Sequence, residues 1–509
     1  MLDGAFDSPF RSHLTDPCGR GPAPTGAHVG SAGGAACGDV IRIALRIQAG
    51  RVADATFDAE GCGALVAAGS ACISLVHDAP LLDAARVGAR SIDEELGGLS
   101  PGKRHAADLA ADALHRALSG VWSAPGVDAL ERRPGRALVA VSGGVDSAVA
   151  ALLESRAGHD VVAVTLKLWA DRQTDGARSC CSPEAVVGAR ALAHSMGLSH
   201  ITLDLEGRFR EAVVRDYVVE HDRGRTPNPC VRCNGLVRFD AMLELADRVG
   251  AATLSTGHYA RIVATSEGPL LARAADGEKD QSYMLAALAP ELLARVRFPL
   301  GALTKPRVRD IAREAGLAVA DKVESQDLCF LAGSGRDAFL ARRGARETPG
   351  DVVDEAGRKL SRHPGQRRFT VGQRRGLGVS SPEPLFVLSK DARANRLVVG
   401  PHASLATRRV RISPAVLHRD GAQVDRVKLR YRSPAVACAV EDAPPVGRHP
   451  SLTLVLEQDT FGVAPGQTAC LMRGDVVVGY GTIAARLHPE PAAAPGSAGV
   501  IDVALTGAS

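Results

Sequence analysis

Long uncharged apolar runs and an excess of one charge sign are both missing from this chain of 509 residues. No segment approaches the roughly 18 apolar residues of a membrane-spanning helix, and the first residues lack the basic-then-apolar order of a secretory signal. We therefore expect a cytoplasmic protein with no membrane partner. Basic residues number 61 and acidic residues 57, a net charge of +4. So small a charge neither indicates nor excludes binding to nucleic acid.

The chain also lacks the composition of a disordered or a disulfide-stapled protein. Hydrophobic residues make up 45% and charged residues 23%, which is the balance of folded globular domains. The 11 cysteines are expected in a reducing compartment, where catalytic, metal-binding or buried thiols are commoner than disulfides. Thiol chemistry is therefore expected of some of them.

A small α+β module is predicted first. Alternating apolar residues predict strands at 40–47 and 52–57, joined by a tight turn. Helical periodicity follows at 65–79 and 105–118. The Gly/Pro-rich run before the first strand is predicted as a loop, and the segment that starts at Trp122 as a linker.

The pattern then changes to strands that are apolar nearly throughout and alternate with helices, from Arg136 to about Leu340. This alternation indicates a parallel sheet covered on both faces. In the second of these helices Ser182 fits the N-cap, Pro183 the first turn and Gly197 the C-terminal stop. Beyond this region, short Gly-rich runs are typical of β structure.

These changes of pattern divide the chain into successive units. We predict a module over 1–130, an α/β domain over 131–340, a small central β-rich domain over 341–397, a second β-rich domain over 398–486 and a disordered tail over 487–509. The tail is rich in Pro, Ala and Gly, so it has little apolar surface to bury.

A glycine turn lies between the first strand and the first helix of the α/β domain. The strand at 136–141 leads into SGGVDS at 142–147. Glycines let the backbone approach a phosphate closely, its N–H groups face the anion, and the helix dipole adds positive potential. The Lys of phosphoryl-transfer loops is missing. The turn therefore predicts a pyrophosphate cradle and disfavours γ-phosphate transfer.

In this setting SGGVDS resembles the PP-loop of ATP pyrophosphatases, enzymes that adenylate a carbonyl or carboxyl oxygen and release pyrophosphate. The resemblance implies a Rossmann-like domain that binds ATP and Mg²⁺. It also implies that Asp146 helps hold magnesium-pyrophosphate, while Ser142 and Ser147 bind phosphate. The nucleotide-binding residues that it implies are Ala140, Val141, Ser142, Gly143, Gly144, Val145, Asp146, Ser147, Leu166 and Gly257.

Three cysteines stand in motifs downstream of this loop. Cys230 and Cys233 lie in TPNPCVRCN, where two prolines force an extended chain, and Cys329 lies in SQDLCF. With GHYAR, KDQSY, FPLG, TKP and RYR, these strings resemble the tRNA-specific 2-thiouridylase family over about residues 136 to 485. The resemblance implies a small central domain and a C-terminal β-barrel that binds tRNA.

The family resemblance implies ATP-dependent thiolation of the wobble uridine of tRNA. Adenylation of the uracil C2 oxygen makes AMP the leaving group, which sulfur can displace. By resemblance Cys329 carries the sulfur as a persulfide, Cys233 attacks it as the nucleophile, and a disulfide between them remains. The implied partners are the anticodon arm of tRNA and a sulfur donor such as a cysteine desulfurase or a relay protein.

By the same resemblance a further set of residues contacts tRNA. These residues are Asn228, Pro229, Cys230, His258, Lys279, Asp280, Gln281, Arg430, Tyr431 and Gln467. Arg374, Arg375 and Arg432 are candidates for phosphate contacts, which position a nucleic acid without reading its sequence.

Cys230 departs from many members of this family, which carry Asp at that position. Two interpretations remain open. Either Cys230 is a spectator or resolving thiol beside the reacting pair, or Cys230, Cys233 and Cys329 hold a cubane iron-sulfur cluster with one open iron position. Zinc is a further alternative, although no second pair of thiols or histidines follows at zinc-finger spacing.

The first module resembles the NifU-like iron-sulfur assembly scaffolds over about residues 8 to 120. The resemblance lies in ACGD with Cys37 and Asp39, GCG with Cys62, and KRHA with His105. Such scaffolds hold a transient cluster with three Cys and a nearby Asp or His, but Ala106 stands where the third Cys is expected. Two interpretations remain open. The module either holds a two-iron cluster on Cys37, Asp39, Cys62 and His105, or it is a degenerate module for docking or sulfur relay.

Two other functions compete with tRNA thiolation. An amidating PP-loop ligase would need no thiol at its site. An iron-sulfur carrier that only senses nucleotide would transfer clusters without releasing pyrophosphate. The intact SGGVDS with Asp146 favours catalysis over the carrier.

Overall fold

The computed structural model describes residues 8–34, 38–124, 127–169, 182–323, 328–331, 335–343 and 347–485. Cys37 and the predicted tail over 487–509 lie outside the described residues. Within the described ranges, no helix combines the length and apolar character needed to cross a bilayer.

The first domain packs helices on one face of an antiparallel sheet, in the order β1-β2-β3. Burial alternates along β2, so that Ile41, Ile43 and Leu45 face the helices with no exposed surface. The elements are α1 (Pro9–Thr15), β1 (His28–Gly33), β2 (Val40–Gln48), β3 (Arg51–Glu60), α2 (Gly63–Val76), α3 (Leu81–Ala84), α4 (Ala89–Glu95) and α5 (Arg104–Ser123).

Strand β1 corrects the prediction of a loop before the first strand. The structure places it inside the Gly/Pro-rich run, paired with β2. A Cβ at Gly30 would come within 2.1 Å of the Ala113 carbonyl oxygen on α5. Glycine therefore lets α5 pack directly on this strand, a tertiary contact that local turn signals do not reveal.

The α/β domain has a parallel sheet in the order β10-β7-β4-β5-β6. This arrangement confirms the predicted Rossmann-like fold. Its elements are β4 (Arg133–Ala140), α6 (Val145–Arg156), β5 (Asp160–Lys167), α7 (Pro183–Ser195), β6 (Ser199–Asp204), α8 (Glu206–Phe209), α9 (Arg215–Asp222), α10 (Pro229–Cys233), α11 (Phe239–Arg248), β7 (Ala251–Thr256), β8 (Arg261–Val263), β9 (Leu270–Ala272), α12 (Pro290–Leu293), β10 (Val296–Arg297), α13 (Lys305–Glu314) and α14 (Arg336–Arg342).

Local sequence determines where α7 begins and ends. The Ser182 side chain accepts a hydrogen bond from the Ala185 N–H at 3.2 Å, and Pro183 occupies the first turn. Gly197, just beyond the helix, has a φ of +73°, which favours glycine. The predicted cap, first turn and stop are therefore confirmed.

Two β-rich units follow. The central sheet has the strand order β12-β11-β14-β13. In the last unit, neighbouring strands pair in the spatial order β15-β19-β17-β16-β20-β21. Pairing of β21 back to β15 closes the predicted barrel, and β9 extends it from β21. The elements are β11 (Gly350–Val353), β12 (Lys359–His363), β13 (Phe386–Asp391), β14 (Arg396–Gly400), β15 (Thr407–Leu417), β16 (Arg426–Lys428), β17 (Val436–Val440), β18 (Gly447–His449), β19 (Leu452–Thr460), β20 (Thr468–Arg473) and β21 (Val476–Ile483).

The first domain docks against β6 of the parallel sheet. The Ser199 hydroxyl donates to the Leu82 carbonyl at 2.7 Å, and the His200 N–H donates to the Ala85 carbonyl at 3.0 Å. Arg248 donates to the carbonyl of Ala124 at 3.0 Å. The predicted linker therefore starts too early at Trp122, which is a buried residue of α5 at this interface.

Three histidines lie in this interface and pack as aromatic rings. The ring centroid of His115 lies 5.2 Å from that of His194 and 6.2 Å from that of His200. Burial lowers the pKa of each, so all three are neutral near pH 7. Thr165 donates to the Val141 carbonyl at 2.7 Å and accepts from the His200 ring at 2.9 Å, which links the interface to the end of β4.

An ion pair with a buried guanidinium spans this interface. Arg190 on α7 donates to Asp112 on α5 at 3.1 Å, with 7% of the Arg190 side chain exposed. Asp112→Asn would leave that guanidinium without its carboxylate, and losing one partner of a buried pair costs about 3 kcal/mol. We expect urea unfolding to begin at a clearly lower concentration, followed by circular dichroism.

Glu94→Gln is the matched control, because Glu94 forms an ion pair with Arg90 at 2.7 Å on the exposed surface. Exposed pairs contribute little, so the unfolding curve should stay unchanged. Equal shifts in the two variants would contradict a specific role for the buried pair.

Candidate active site

The glycine turn between β4 and α6 forms one wall of a cavity of about 210 Å³. The Ser142 N–H donates to the Ser147 hydroxyl at 3.0 Å, and that hydroxyl donates to the Gly144 carbonyl at 3.0 Å. Gly143 has a φ of +72°, which other residues rarely adopt. Helix α6 has no side-chain cap, so N–H groups of its first turn are available to an anion.

Most of the predicted nucleotide-binding residues come together around this cavity. Those that line it are Ala140, Val141, Ser142, Asp146, Ser147, Leu166 and Gly257, while Gly143, Gly144 and Val145 form the turn itself. His258 and Gln281, predicted as tRNA contacts, also line the cavity. Sequence reasoning missed other lining residues, namely Val164, Thr165, Arg238, Met242 and Thr256.

Gly257 follows β7 and touches the start of α6. A Cβ there would lie 2.8 Å from the carbonyl carbon of Asp146 and 2.8 Å from the nitrogen of Ser147. Backbone atoms cannot yield as a flexible side chain can. Glycine is therefore required for this approach, whether or not it also contacts a nucleotide.

Asp146 is held by two side chains from other loops. The Lys305 ammonium donates to both carboxylate oxygens, at 2.7 and 2.8 Å, and the Tyr259 hydroxyl donates at 2.9 Å. Lys305 begins α13 and is 7% exposed. Its position in the TKP string was a signal of importance, but the string does not indicate this partner.

Arg238 connects the cavity to the cysteines. It ends a short π-helical turn, Asn234–Arg238, that continues directly from Cys233. Burial, together with the nearby Arg238 charge, lowers the pKa of His258 to about 3. Burial raises the pKa of Cys230 to about 11, and the same guanidinium opposes that rise.

The loop that carries Cys230 and Cys233 is held from the C-terminal barrel. Gln467 donates to the Thr226 carbonyl at 2.7 Å, and the Thr226 N–H donates to the Pro465 carbonyl at 2.8 Å. Asn228 then caps α10 by accepting from the Val231 N–H at 3.3 Å. These contacts tie the cysteine loop of the α/β domain to the barrel.

Cys329 is half-buried at the edge of an aromatic cluster. Its neighbour Phe330 packs on Tyr217 and on Phe339, with ring centroids 5.1 Å away in both cases. Cys329 and the buried Cys233 border the same hydrophobic core. Whether they form a reacting pair stays a prediction.

Several residues predicted to contact tRNA have partners inside the protein. Asp280 is 3% exposed and accepts from the backbone of Ala274 and Ser282. Arg430 donates to the Gly462 carbonyl and, at 3.2 Å, to the Val371 carbonyl. Gln467 holds the cysteine loop through the Thr226 carbonyl. These side chains join domains and loops, a role that motif matching does not distinguish from ligand contact.

The other predicted tRNA contacts surround the same loops. Pro229 begins α10 and is buried. Tyr431 packs near the Tyr283 ring at 6.2 Å, and the Tyr283 hydroxyl donates to the Thr468 carbonyl at 2.9 Å. The Lys279 N–H donates to the Asp276 carboxylate at 3.2 Å.

A separate group of potential metal ligands lies in the first domain. The ligand atoms of Asp39, Cys62 and His105 lie within 4.8 Å of one another. Asp39 accepts from the Cys62 N–H at 3.0 Å and contacts the His105 ring at 3.1 Å. These two contacts, the backbone one first, lower the pKa of Asp39. Ala106 is fully buried beside them.

The α/β sheet, the glycine turn and the cavity define a nucleotide-binding domain, and family models agree. Residues 135–333 match the "tRNA methyl transferase HUP domain" and residues 10–122 the "NifU-like N terminal domain". Residues 337–401 match the "tRNA methyl transferase PRC-barrel domain" and residues 413–483 the "Aminomethyltransferase beta-barrel domain".

Relatives cover the whole arrangement. "Bifunctional protein NifU/MnmA" of Rubrobacter xylanophilus is 45% identical over 93% of this chain and 97% of its own length. "tRNA-specific 2-thiouridylase MnmA" of Rhodospirillum rubrum is 42% identical over 66% of this chain and 91% of its own length. The chain belongs to the MnmA family and carries a NifU-like domain before the MnmA part, which confirms both predicted resemblances.

Gly257→Ala tests the contact that closes the cavity. The added methyl must displace the start of α6, and overpacking of this kind costs about 1–3 kcal/mol. We expect ATP to bind about tenfold more weakly or worse, measured by isothermal calorimetry.

Gly188→Ala is the matched control, because a Cβ at this helical position meets nothing within 4 Å. Its ATP affinity should equal that of the unmodified protein. If Gly257→Ala also binds ATP normally, the close approach does not shape the cavity.

Proposed function

We propose that this chain is an ATP-dependent tRNA uridine 2-sulfurtransferase. The observation that carries the proposal is the position of Arg238, which lines the phosphate-binding cavity and directly continues the helical segment of Cys230 and Cys233. This position supports a single site in which nucleotide activation lies close to the Cys233 thiol. The 2-thiouridylase names of the relatives agree with this arrangement.

The residues around the cavity would bind and activate ATP. The N–H groups at the start of α6 hold pyrophosphate, and the helix dipole favours its charge. Among the described lining residues, Asp146 is the carboxylate. Lys305 and Tyr259 use three of its about four acceptor positions, so it would still have a position for Mg²⁺, which would neutralise phosphate charge. The uracil C2 oxygen attacks the α-phosphorus, and pyrophosphate leaves with the electron pair of the broken P–O bond.

Sulfur transfer then restores a double bond at C2. The terminal sulfur of a Cys329 persulfide attacks C2 and loses its proton, and the C2–O bond breaks as AMP departs. The Cys233 thiolate attacks the Cys329 sulfur, the S–S bond to the transferred sulfur breaks, and 2-thiouridine forms. The Cys233–Cys329 disulfide needs two electrons from an external thiol before the next cycle.

Two partners follow from this chemistry. The anticodon arm of tRNA supplies the uridine, and the exposed side chains of Arg374, Arg375 and Arg432 are suited to phosphate contacts. A cysteine desulfurase or a relay protein supplies the persulfide sulfur, and the half-buried Cys329 is accessible to it.

The decisive assay is nucleoside mass spectrometry in a strain that lacks its own 2-thiouridylase. The unmodified chain should restore 2-thiouridine, whereas Cys329→Ser and Cys233→Ser should each reduce it by at least a hundredfold, since each removes a reacting sulfur. Cys18→Ser, at an exposed cysteine of the first domain, should restore it fully.

The same strains separate this function from its rivals. An amidating ligase would keep its pyrophosphate release and product after Cys329→Ser. An iron-sulfur carrier would release no pyrophosphate when ATP and tRNA are added. A folded unmodified chain that restores no 2-thiouridine would contradict the proposal.

A second function is favoured by the group in the first domain. We propose that Asp39, Cys62 and His105, together with Cys37 of the ACGD string, hold a transition metal ion or a two-iron cluster. The ligand atoms of the first three lie within 4.8 Å, and thiolate, imidazole and carboxylate all bind such metals. The proposal competes with a docking or relay role in which no metal is held.

Anaerobic purification followed by iron, zinc and labile-sulfide analysis tests this site. Cys62→Ser and Cys37→Ala should each lose most of the bound metal, because each removes a thiolate ligand. Cys230→Ala distinguishes the alternative cluster at the cysteine loop, since it should lower metal content only if that cluster exists. Full metal content in both Cys62→Ser and Cys37→Ala would contradict a site in the first domain.

A further inference from the structure

Arg238 occupies a position that the sequence motifs did not single out. It is the last residue of the π-helical turn Asn234–Arg238, which begins immediately after Cys233. One turn of this kind advances about five residues, so the Arg238 side chain lies one turn along from Cys233. Short π-helical insertions of this kind occur frequently at functional sites.

The guanidinium shares a cavity with the glycine turn. Ser142 and Asp146 line that cavity together with Arg238, Met242 and His258. A nucleotide whose pyrophosphate lies on the turn therefore has Arg238 on the wall of the same cavity of about 210 Å³.

The charges around the cavity give Arg238 a specific importance. Among the described residues that line it, the charged groups are Asp146 and Arg238, since His258 is neutral with a pKa of about 3. Asp146 is already bound by the Lys305 ammonium through both oxygens. Arg238 therefore supplies positive charge to the cavity wall beside the cysteines.

The same guanidinium acts on the thiol loop. Its charge opposes the effect of burial on the Cys230 thiol and also acts on the His258 ring. Arg238 also follows Cys233 by a single π-helical turn and lines the cavity. Arg238 thus lies between the nucleotide cavity and the cysteines.

The proposed reaction places new negative charge in this region. Before sulfur attacks, the α-phosphate of the adenylated uridine is a diester with one negative charge. When the C2–O bond breaks, AMP leaves as a monoester whose second charge develops near neutral pH. A planar guanidinium binds two phosphate oxygens at once, which suits this change.

We propose that Arg238 is a catalytic residue that binds the α-phosphate of the nucleotide and stabilises AMP as the leaving group. This inference rests on the proposed sulfurtransferase function. It adds a residue that couples the activation half of the site to the sulfur-transfer half.

Nucleotide binding tests the contact without any catalysis. Calorimetry should compare AMP, which carries the α-phosphate, with adenosine, which carries none, on the unmodified chain and on Arg238→Gln. Charge-assisted hydrogen bonds contribute about 1.5–3 kcal/mol, so AMP should bind about 10- to 100-fold more weakly to Arg238→Gln. Adenosine should bind equally to both proteins.

Two results would overturn the α-phosphate contact. Equal affinity of AMP for both proteins would show that Arg238 does not bind this phosphate. Equal weakening of AMP and adenosine would show a general distortion of the cavity. Arg238→Lys keeps the charge and should fall between the other two proteins, which preserves the test if Arg238→Gln is unstable.

Single-turnover kinetics on tRNA test the catalytic role. Loss of one such donor typically slows the chemical step about 100- to 1000-fold, so 2-thiouridine should form that much more slowly in Arg238→Gln. Arg208→Gln is the control, because Arg208 is an exposed residue paired with Glu244 at 2.9 Å, and its rate should be unchanged.

The outcomes separate this inference from the proposed function. If the unmodified chain thiolates tRNA and Arg238→Gln does so at the same rate, the role of Arg238 is wrong and the function stands. If the unmodified chain releases no pyrophosphate with ATP and tRNA, the function itself is wrong.

Discussion

The close approach of the Gly257 backbone to the start of α6 is the contact on which the nucleotide site depends. It brings the loop after β7 against the glycine turn, with the Asp146 carbonyl carbon 2.8 Å from the site of a missing Cβ. From this loop Tyr259 reaches Asp146 at 2.9 Å, and Gln281 accepts from the Tyr259 N–H at 2.9 Å. Backbone packing therefore forms this wall of the cavity. The same packing positions the side chains that complete it.

The thiol half of the site depends on a different domain. Gln467 and the Pro465 carbonyl of the barrel hold Thr226, and the Tyr283 hydroxyl reaches the Thr468 carbonyl. Each of the two prolines in this loop lacks a backbone N–H, so the loop has fewer hydrogen bonds of its own. The barrel therefore supplies the partners that hold the cysteine loop in place, in addition to any surface it offers to tRNA.

The parts of this architecture that were predictable from the sequence are those that local residues determine. The strand, glycine turn and helix around Ser142, and the cap and stop of α7, follow from short-range geometry. Strand β1 was not predicted because its glycines are typical of turns, whereas Gly30 allows α5 to pack closely on the strand. Arg238 was missed because its importance comes from lining the same cavity as the glycine turn, which is distant from it in the sequence. Motif matches at Asp280 and Gln467 indicated important residues, but only the fold reveals their internal partners.

Helix α5 joins the two functional regions while keeping them apart. Near its C-terminal end, the carbonyls of Val121 and Ala124 accept from Arg248, and in its middle Asp112 pairs with Arg190. Its N-terminal end carries His105 beside Asp39. A helix of 20 residues spans about 30 Å. The N-terminal end with His105 is therefore distant from the C-terminal end, which Arg248 contacts. Because His105 and Cys62 are exposed, this docking fixes the first domain while a partner can still reach its candidate metal ligands.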